Sequence, residues 1–163
     1  MKTQTVKRIL IALDYDPAAQ KVAEAGYSYG KAMGAEIILL HIISDPVYYS
    51  STEYSPIMGF TGFPATGPYE FDSGAELQKA AQHFLDKSKH HLGDNAIITQ
   101  VRDNKGDFAE TILKTAKELH ADIIVMGSHG RRWLDEILMG SVTEQVLHNT
   151  SLPLIIIPTK KHK

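Results

Sequence analysis

The sequence predicts a doubly wound α/β fold, a single domain with a five-stranded parallel sheet and helices on both faces. Three observations carry that expectation. Five apolar runs recur along the 163 residues, and a helix-spaced stretch lies in every interval between them. Most of the runs lack alternation, so both faces of each strand should be covered. Strands that alternate with helices imply crossovers that keep the strands parallel.

The first run is Arg8-Ile9-Leu10-Ile11-Ala12-Leu13, ending at Asp14. Asp16-Pro17 should open a helix, because Asp is a good N-cap and Pro suits a first turn. Val22, Ala25, Tyr29 and Met33 follow at helical spacing, and Gly34 should stop the element. Glu36 to Ile43 reads as a second buried strand. Residues 74–93 read as a helix with Leu77, Ala81, Phe84 and Leu85 inward and Gly93 as its stop. Ala96 to Val101 alternates partly, which suits a strand near a sheet edge.

Asp107 should cap a helix whose apolar face carries Phe108, Ile112, Ala116 and Leu119. Asp122 to Met126 is a strand running into Gly127. A helix is expected from Ser141 to Asn149, with Val142 and Val146 four apart. Leu154-Ile155-Ile156-Ile157 is the last strand, bracketed by prolines. Ligands of such folds sit beyond the carboxyl ends of the strands where strand order reverses. The turns after Leu13, Ile43 and Met126 are therefore the places to look for chemistry.

One segment breaks the pattern. Ser44 to Gly74 is long for a loop and holds seven of the chain's thirteen aromatics. Disordered linkers are poor in aromatics, so part of it should pack as a flap, a lid or a subunit contact.

Composition narrows the function. There is no cysteine, which excludes thiol catalysis and Cys-based zinc sites and fits a reducing compartment. The net charge of −2 argues against a nucleic-acid surface, and the basic tail Lys160-Lys161-His162-Lys163 reads as a solubilising end. The apolar start, Ile9 to Leu13, is too short for a signal or membrane segment, so a cytoplasmic protein is expected.

The most informative stretch is Gly127-Ser128-His129-Gly130, nine residues, then Gly140-Ser141-Val142-Thr143. Glycines let the backbone turn sharply and approach a ligand without Cβ contacts. The helix that starts at Ser141 presents free N–H groups and a positive dipole end, an anion site. Ser141 and Thr143 add hydroxyls, and His129, Arg131 and Arg132 add positive potential. A triphosphate needs that set. The stretch lacks Gly-Lys-Ser/Thr and is no Walker loop, and its position after the fourth strand is wrong for a dinucleotide fingerprint.

These residues, with Met126 and Glu144 at their ends, resemble the nucleotide motif of the universal stress protein family: Gly-x-x-Gly, nine residues, Gly-Ser or Gly-Thr. Ile9 to Asp14, His41-Ile42 and Pro153 to Ile157 fit the same family pattern. The resemblance implies a Rossmann-like fold of the adenine nucleotide alpha hydrolase type and membership of the ATP-binding branch. It places Ala12 and Asp14 by the ribose or adenine and the Ile42 backbone at the adenine edge. Met126, Gly127, His129, Gly130, Arg131, Arg132, Gly140, Ser141, Val142 and Thr143 would surround ribose and phosphates. It also implies ATP with Mg2+ held mainly through phosphates, a homodimer through the 154–157 strand, and a regulatory partner that reads the bound state.

A slow ATPase or nucleotidyl-transfer enzyme is the competing class, and a nucleotide-free dimerisation module is a third. Asp14, Asp16 and His129 are the candidate bases, but strand-end carboxylates more often bind ligands or cap helices. Phosphoryl transfer also needs metal-holding carboxylates and a positioned nucleophile. The eight histidines suggest no metal site: His90 and His91 point about 100° apart on a helix, and His83 is seven residues from His90. His41 and His120 should satisfy local backbone groups.

Overall fold

The protein is represented by a computed structural model, which describes residues 3–15, 18–43, 74–104, 106–128 and 139–159. Its elements run β1 (Arg8–Ala12), α1 (Ala19–Ala32), β2 (Glu36–Ile43), α2 (Gly74–Leu92) and β3 (Ile98–Asp103). They continue with α3 (Phe108–Glu118), β4 (Ile123–Gly127), α4 (Ser141–Asn149) and β5 (Leu154–Ile157). The five strands form one sheet in the order β3-β2-β1-β4-β5. Every pairing is parallel.

The alternation of side chains along the strands divides the core in two. Ile9, Ile11, Leu39 and Val125 face α1 and α2, where they meet Val22, Ala23, Leu77, Ala81 and Phe84. Leu10, Ile38, Leu40, Ile124 and Met126 face α3 and α4, where they meet Ile112, Ala116 and Val146. Helices therefore cover both faces, as continuous apolar runs require.

Local signals explain most boundaries. Gly34 and Gly93 end α1 and α2 with φ of +69° each, a conformation that favours glycine. Asp107 caps α3 by accepting the Ala109 N–H at 2.7 Å. Asp122 receives the N–H groups of both Lys7 and Arg8, stitching the starts of β1 and β4 together.

Five expectations need correction. The strand expected at 96–101 is Ile98–Asp103, and the one expected at 122–126 is Ile123–Gly127. Asp16 and Pro17 lie outside the described residues, and α1 begins at Ala19 after an Ala18 N-cap with no side-chain hydrogen bond. Strand β1 stops at Ala12, although Leu13 still donates its N–H to the Leu40 carbonyl.

The face of α1 is the fifth. Tyr29 is 47% exposed and Met33 42%, while Ala19, Val22, Ala23, Gly26 and Gly30 are buried. A Cβ on Gly26 would lie 2.7 Å from Cδ1 of Ile11, and one on Gly30 would overlap Cδ1 of Ile37. The two glycines let α1 lie close against the sheet, while Tyr29, next to Gly30, and Met33, at the C-cap, are turned outward. The Ser44–Gly74 loop and the 160–163 tail lie outside the described residues, apart from Gly74 itself, which begins α2.

Candidate nucleotide site

The sheet order reverses between β1 and β4. Strand β1 leads to α1 on one face, and β4 leads towards α4 on the other. The connections after the two strands leave on opposite faces, which in folds of this kind places a crevice beyond their carboxyl ends. The residues that border it follow from strand geometry, because successive backbone groups point to opposite sides.

On β2, the Leu40 carbonyl accepts from Leu13, whereas the Ile43 carbonyl accepts from Asn104 beyond β3. Ile42 therefore points its N–H and C=O towards β1, past the end of that strand and into the crevice. On β4, Ile124 and Ser128 bond to β5, so Gly127 faces the crevice side with its backbone. Past the end of β1, Leu13 and Tyr15 both pack under α1 and α2, and Asp14 stands between them. Asp14 is half-buried, and its Oδ1 accepts the Tyr15 N–H at 2.8 Å.

The start of α4 is pinned to the end of β4. Gly140 donates its N–H to the Ser128 carbonyl at 2.7 Å. Thr143 donates its hydroxyl to the Gly127 carbonyl at 2.8 Å. Gly140 is the N-cap, with φ −66° and ψ 154°, and supplies no side-chain cap. The first amides of α4, those of Ser141, Val142 and Thr143, have no intrahelical acceptor. An uncapped helix start thus meets the crevice with no Cβ at Gly140.

Ser128 is the junction that the sequence did not reveal. Its N–H donates to the Ile157 carbonyl, its carbonyl accepts from Gly140, and its hydroxyl oxygen accepts the Thr159 N–H at 3.0 Å. It was legible only as a spacer in Gly-x-x-Gly. Tyr15 was missed as a core residue: its ring centroid lies 4.1 Å from that of His41 and 4.8 Å from that of Phe84. Its spacing two residues beyond Leu13 was the available signal.

Of the expected contacts, Ala12, Asp14, Ile42, Met126, Gly127, Gly140, Ser141, Val142 and Thr143 all lie at the carboxyl ends of β1, β2 and β4 or at the start of α4. Met126 turns its side chain into the core beside Leu10 and Val146. The hydroxyl expected of Thr143 as an outward donor is turned inward instead and 98% of the residue is buried. His129, Gly130, Arg131 and Arg132 lie outside the described residues.

A family model for the universal stress protein family matches residues 5–158, nearly the whole chain. The chain belongs to the universal stress protein family. Universal stress protein MJ0577 of Methanocaldococcus jannaschii is 29% identical over 155 residues, covering 94% of this chain and 96% of that protein. The solved structure of MJ0577 matches with a TM-score of 0.70 at 28% identity, covering 98% of this chain and all of that one. A universal stress protein solved in complex with cAMP shares the fold at a TM-score of 0.62, with 16% identity over 96% of this chain and 100% of its own. One from Archaeoglobus fulgidus in complex with dAMP does so at 0.57, with 17% identity over 94% and 99%.

Proposed function

We propose that this family member is an ATP-binding regulatory protein, with the nucleotide held across the carboxyl ends of β1 and β4. The observation that carries the reading is the start of α4. Gly140 needs no left-handed backbone and caps nothing with a side chain, so its value as glycine is space beside uncapped amides. A polyphosphate fills such a place: it accepts from the Val142 and Thr143 amides and the Ser141 hydroxyl. His129, Gly130, Arg131 and Arg132 would close the phosphate side and add positive charge.

The remaining border suits an adenine nucleoside. The outward-facing N–H and C=O of Ile42 can read a base edge, Asp14 can accept from a ribose hydroxyl, and Ala12, Met126 and Gly127 leave room at the strand ends. The cAMP and dAMP bound by two structural relatives agree with an adenine ligand. Mg2+ would be held mainly by phosphate oxygens. No residue is assigned a catalytic role, and turnover is expected to be weak at most.

The same reading covers assembly and location. β5 is a sheet edge, apolar at all four positions, whereas the other edge, β3, carries Thr99, Gln100 and Arg102. An apolar edge needs cover, and pairing with a second copy supplies it. We read the protein as a cytoplasmic homodimer whose bound state is recognised by a regulatory partner.

Calorimetry with MgATP tests the central claim. Binding at or below millimolar concentration is expected, and none at millimolar ATP overturns it.

A further inference from the structure

We infer that His41 is a positioning residue: it ends the β1–β2 ladder one rung early and so keeps the Ile42 backbone N–H turned to the crevice. In a parallel pair, hydrogen bonds are evenly spaced and alternate between strands. The rungs here include Glu36 N–H to the Lys7 carbonyl and end with Leu13 N–H to the Leu40 carbonyl. The next rung would run from Ile42 N–H to the carbonyl of Leu13. Between these described residues it is not formed. The Leu13 carbonyl is met by His41 Nδ1 at 2.8 Å instead. A carbonyl only accepts, so Nδ1 carries the proton and the imidazole is the donor.

Two aromatic neighbours hold that ring in place. His41 is 1% exposed, its centroid lies 4.1 Å from that of Tyr15 and 5.4 Å from that of Phe84, and the Tyr15 and Phe84 rings meet edge to face. Tyr15 belongs to the segment that leaves β1, and Phe84 to α2. The imidazole is thus packed between the segment it fixes and the helix layer behind it. Its hydrogen bond also sets the orientation of the Leu13–Asp14 peptide, and with it the carboxylate of Asp14. One buried side chain would then arrange both the base-reading amide and the neighbouring acceptor. Two β-strands left to themselves would zip further and consume that amide internally.

The role of these groups towards nucleotide rests on the reading proposed above; the effect of His41 on the ladder can be measured without ligand. The test uses His41→Leu, His41→Asn and Phe84→Leu. His41→Leu removes the donor at similar volume. His41→Asn places an amide N–H near the position of Nδ1. Phe84→Leu loosens the packing but keeps the imidazole.

In ligand-free protein, hydrogen exchange followed by NMR should slow about tenfold or more at the Ile42 amide of His41→Leu, because the missing rung forms. General loosening would speed exchange there, so the sign separates positioning from a structural role. His41→Asn should return Ile42 to within about threefold of the parent, and Phe84→Leu should not slow it. Unchanged or faster exchange at Ile42 in a folded His41→Leu overturns the assignment. MgATP affinity measured on the same proteins should fall about tenfold for His41→Leu and recover in His41→Asn. If the parent binds no ATP, the nucleotide reading fails while the Ile42 exchange still decides the role of His41.

Discussion

Thr143 donates its hydroxyl to the carbonyl of Gly127 at 2.8 Å, across sixteen residues of chain, and so locks the first turn of α4 to the last residue of β4. With the bond from Gly140 to Ser128, this gives the two ends of the glycine motif two direct ties. The described residues on either side of 129–138 are thus fixed relative to one another.

Removing that tie should cost stability. Thr143→Val keeps the shape but leaves the Gly127 carbonyl short of a buried donor, at an expected loss of about 1–2 kcal/mol. Thr143→Ser keeps the hydroxyl and should lose less. Urea unfolding of the three proteins checks the order, and equal midpoints for parent and Thr143→Val would show that the bond contributes nothing.

The close contact between α1 and the sheet makes a second prediction. Alanine normally stabilises a helix interior by about 1 kcal/mol over glycine. At Gly26 the new methyl would press on Cδ1 and Cγ1 of Ile11 and on Cγ1 of Val125, all within 3.1 Å. Overpacking costs about 1–3 kcal/mol, so Gly26→Ala should be net destabilising by about 1 kcal/mol. A raised melting temperature would mean that the core yields more easily than this geometry implies.

The same helix shows where the sequence was legible and where it was not. The α2 face of Leu77, Ala81, Phe84 and Leu85 was readable because large apolar residues sit where burial occurs. On α1 the buried positions other than Val22 are alanine and glycine, so a count of hydrophobic side chains selected the exposed Tyr29 and, at the C-cap, Met33. The Asp107 cap was readable because capping is local. Ser128 was not, because its partners Gly140, Ile157 and Thr159 lie 12 to 31 residues away and only the folded sheet brings them together. The positions of the crevice were legible through strand order; the inward turn of the Thr143 hydroxyl needed coordinates.

Acid should weaken the seam between β1 and β4. The N–H groups of Lys7 and Arg8 hold the carboxyl of Asp122 below its ordinary value of 3.8. A group whose pKa is lowered by folding stabilises the protein above its unfolded value and loses that contribution as pH falls through the folded one. The contribution of Asp122 is therefore full at pH 7, begins to fall as pH drops past about 4, and is gone only below the folded value. Asp122→Asn should be less stable than the parent at pH 7, with the gap narrowing towards pH 3. Urea midpoints at both pH values test this, and a constant gap would exclude the ionised carboxylate as the cause.

Assembly can be tested at a single backbone atom. Pro153 and Ile157 turn their carbonyls to β4, so Ile155 shares that direction and Ile156 points its N–H away from the sheet. Proline at an edge position with an outward N–H leaves the inner ladder intact. Ile156→Pro should therefore stay folded while losing a donor that pairing with a second β5 would use. Light scattering at micromolar concentration should give a dimer for the parent and a monomer for the variant. A monomeric parent would refute the edge-pairing reading outright.

The last prediction separates space from backbone freedom at the glycine motif. Gly140 sits at φ −66° and ψ 154°, which any L-residue adopts, so a side chain there brings no backbone strain. Gly140→Val replaces a tolerable N-cap by a poor one, at a cost of about 1 kcal/mol or less in stability. It also puts a branched side chain beside the α4 amides, where phosphate oxygens must come within hydrogen-bonding distance. Affinity for MgATP should then fall about tenfold to a hundredfold, equivalent to about 1.4–2.8 kcal/mol. Ser141→Ala, which removes one hydroxyl and leaves the amides open, should fall by less. Calorimetric affinity set beside melting temperature decides the matter. A folded Gly140→Val that binds MgATP like the parent would mean that the phosphates do not approach α4, and the site would have to be sought elsewhere along the crevice.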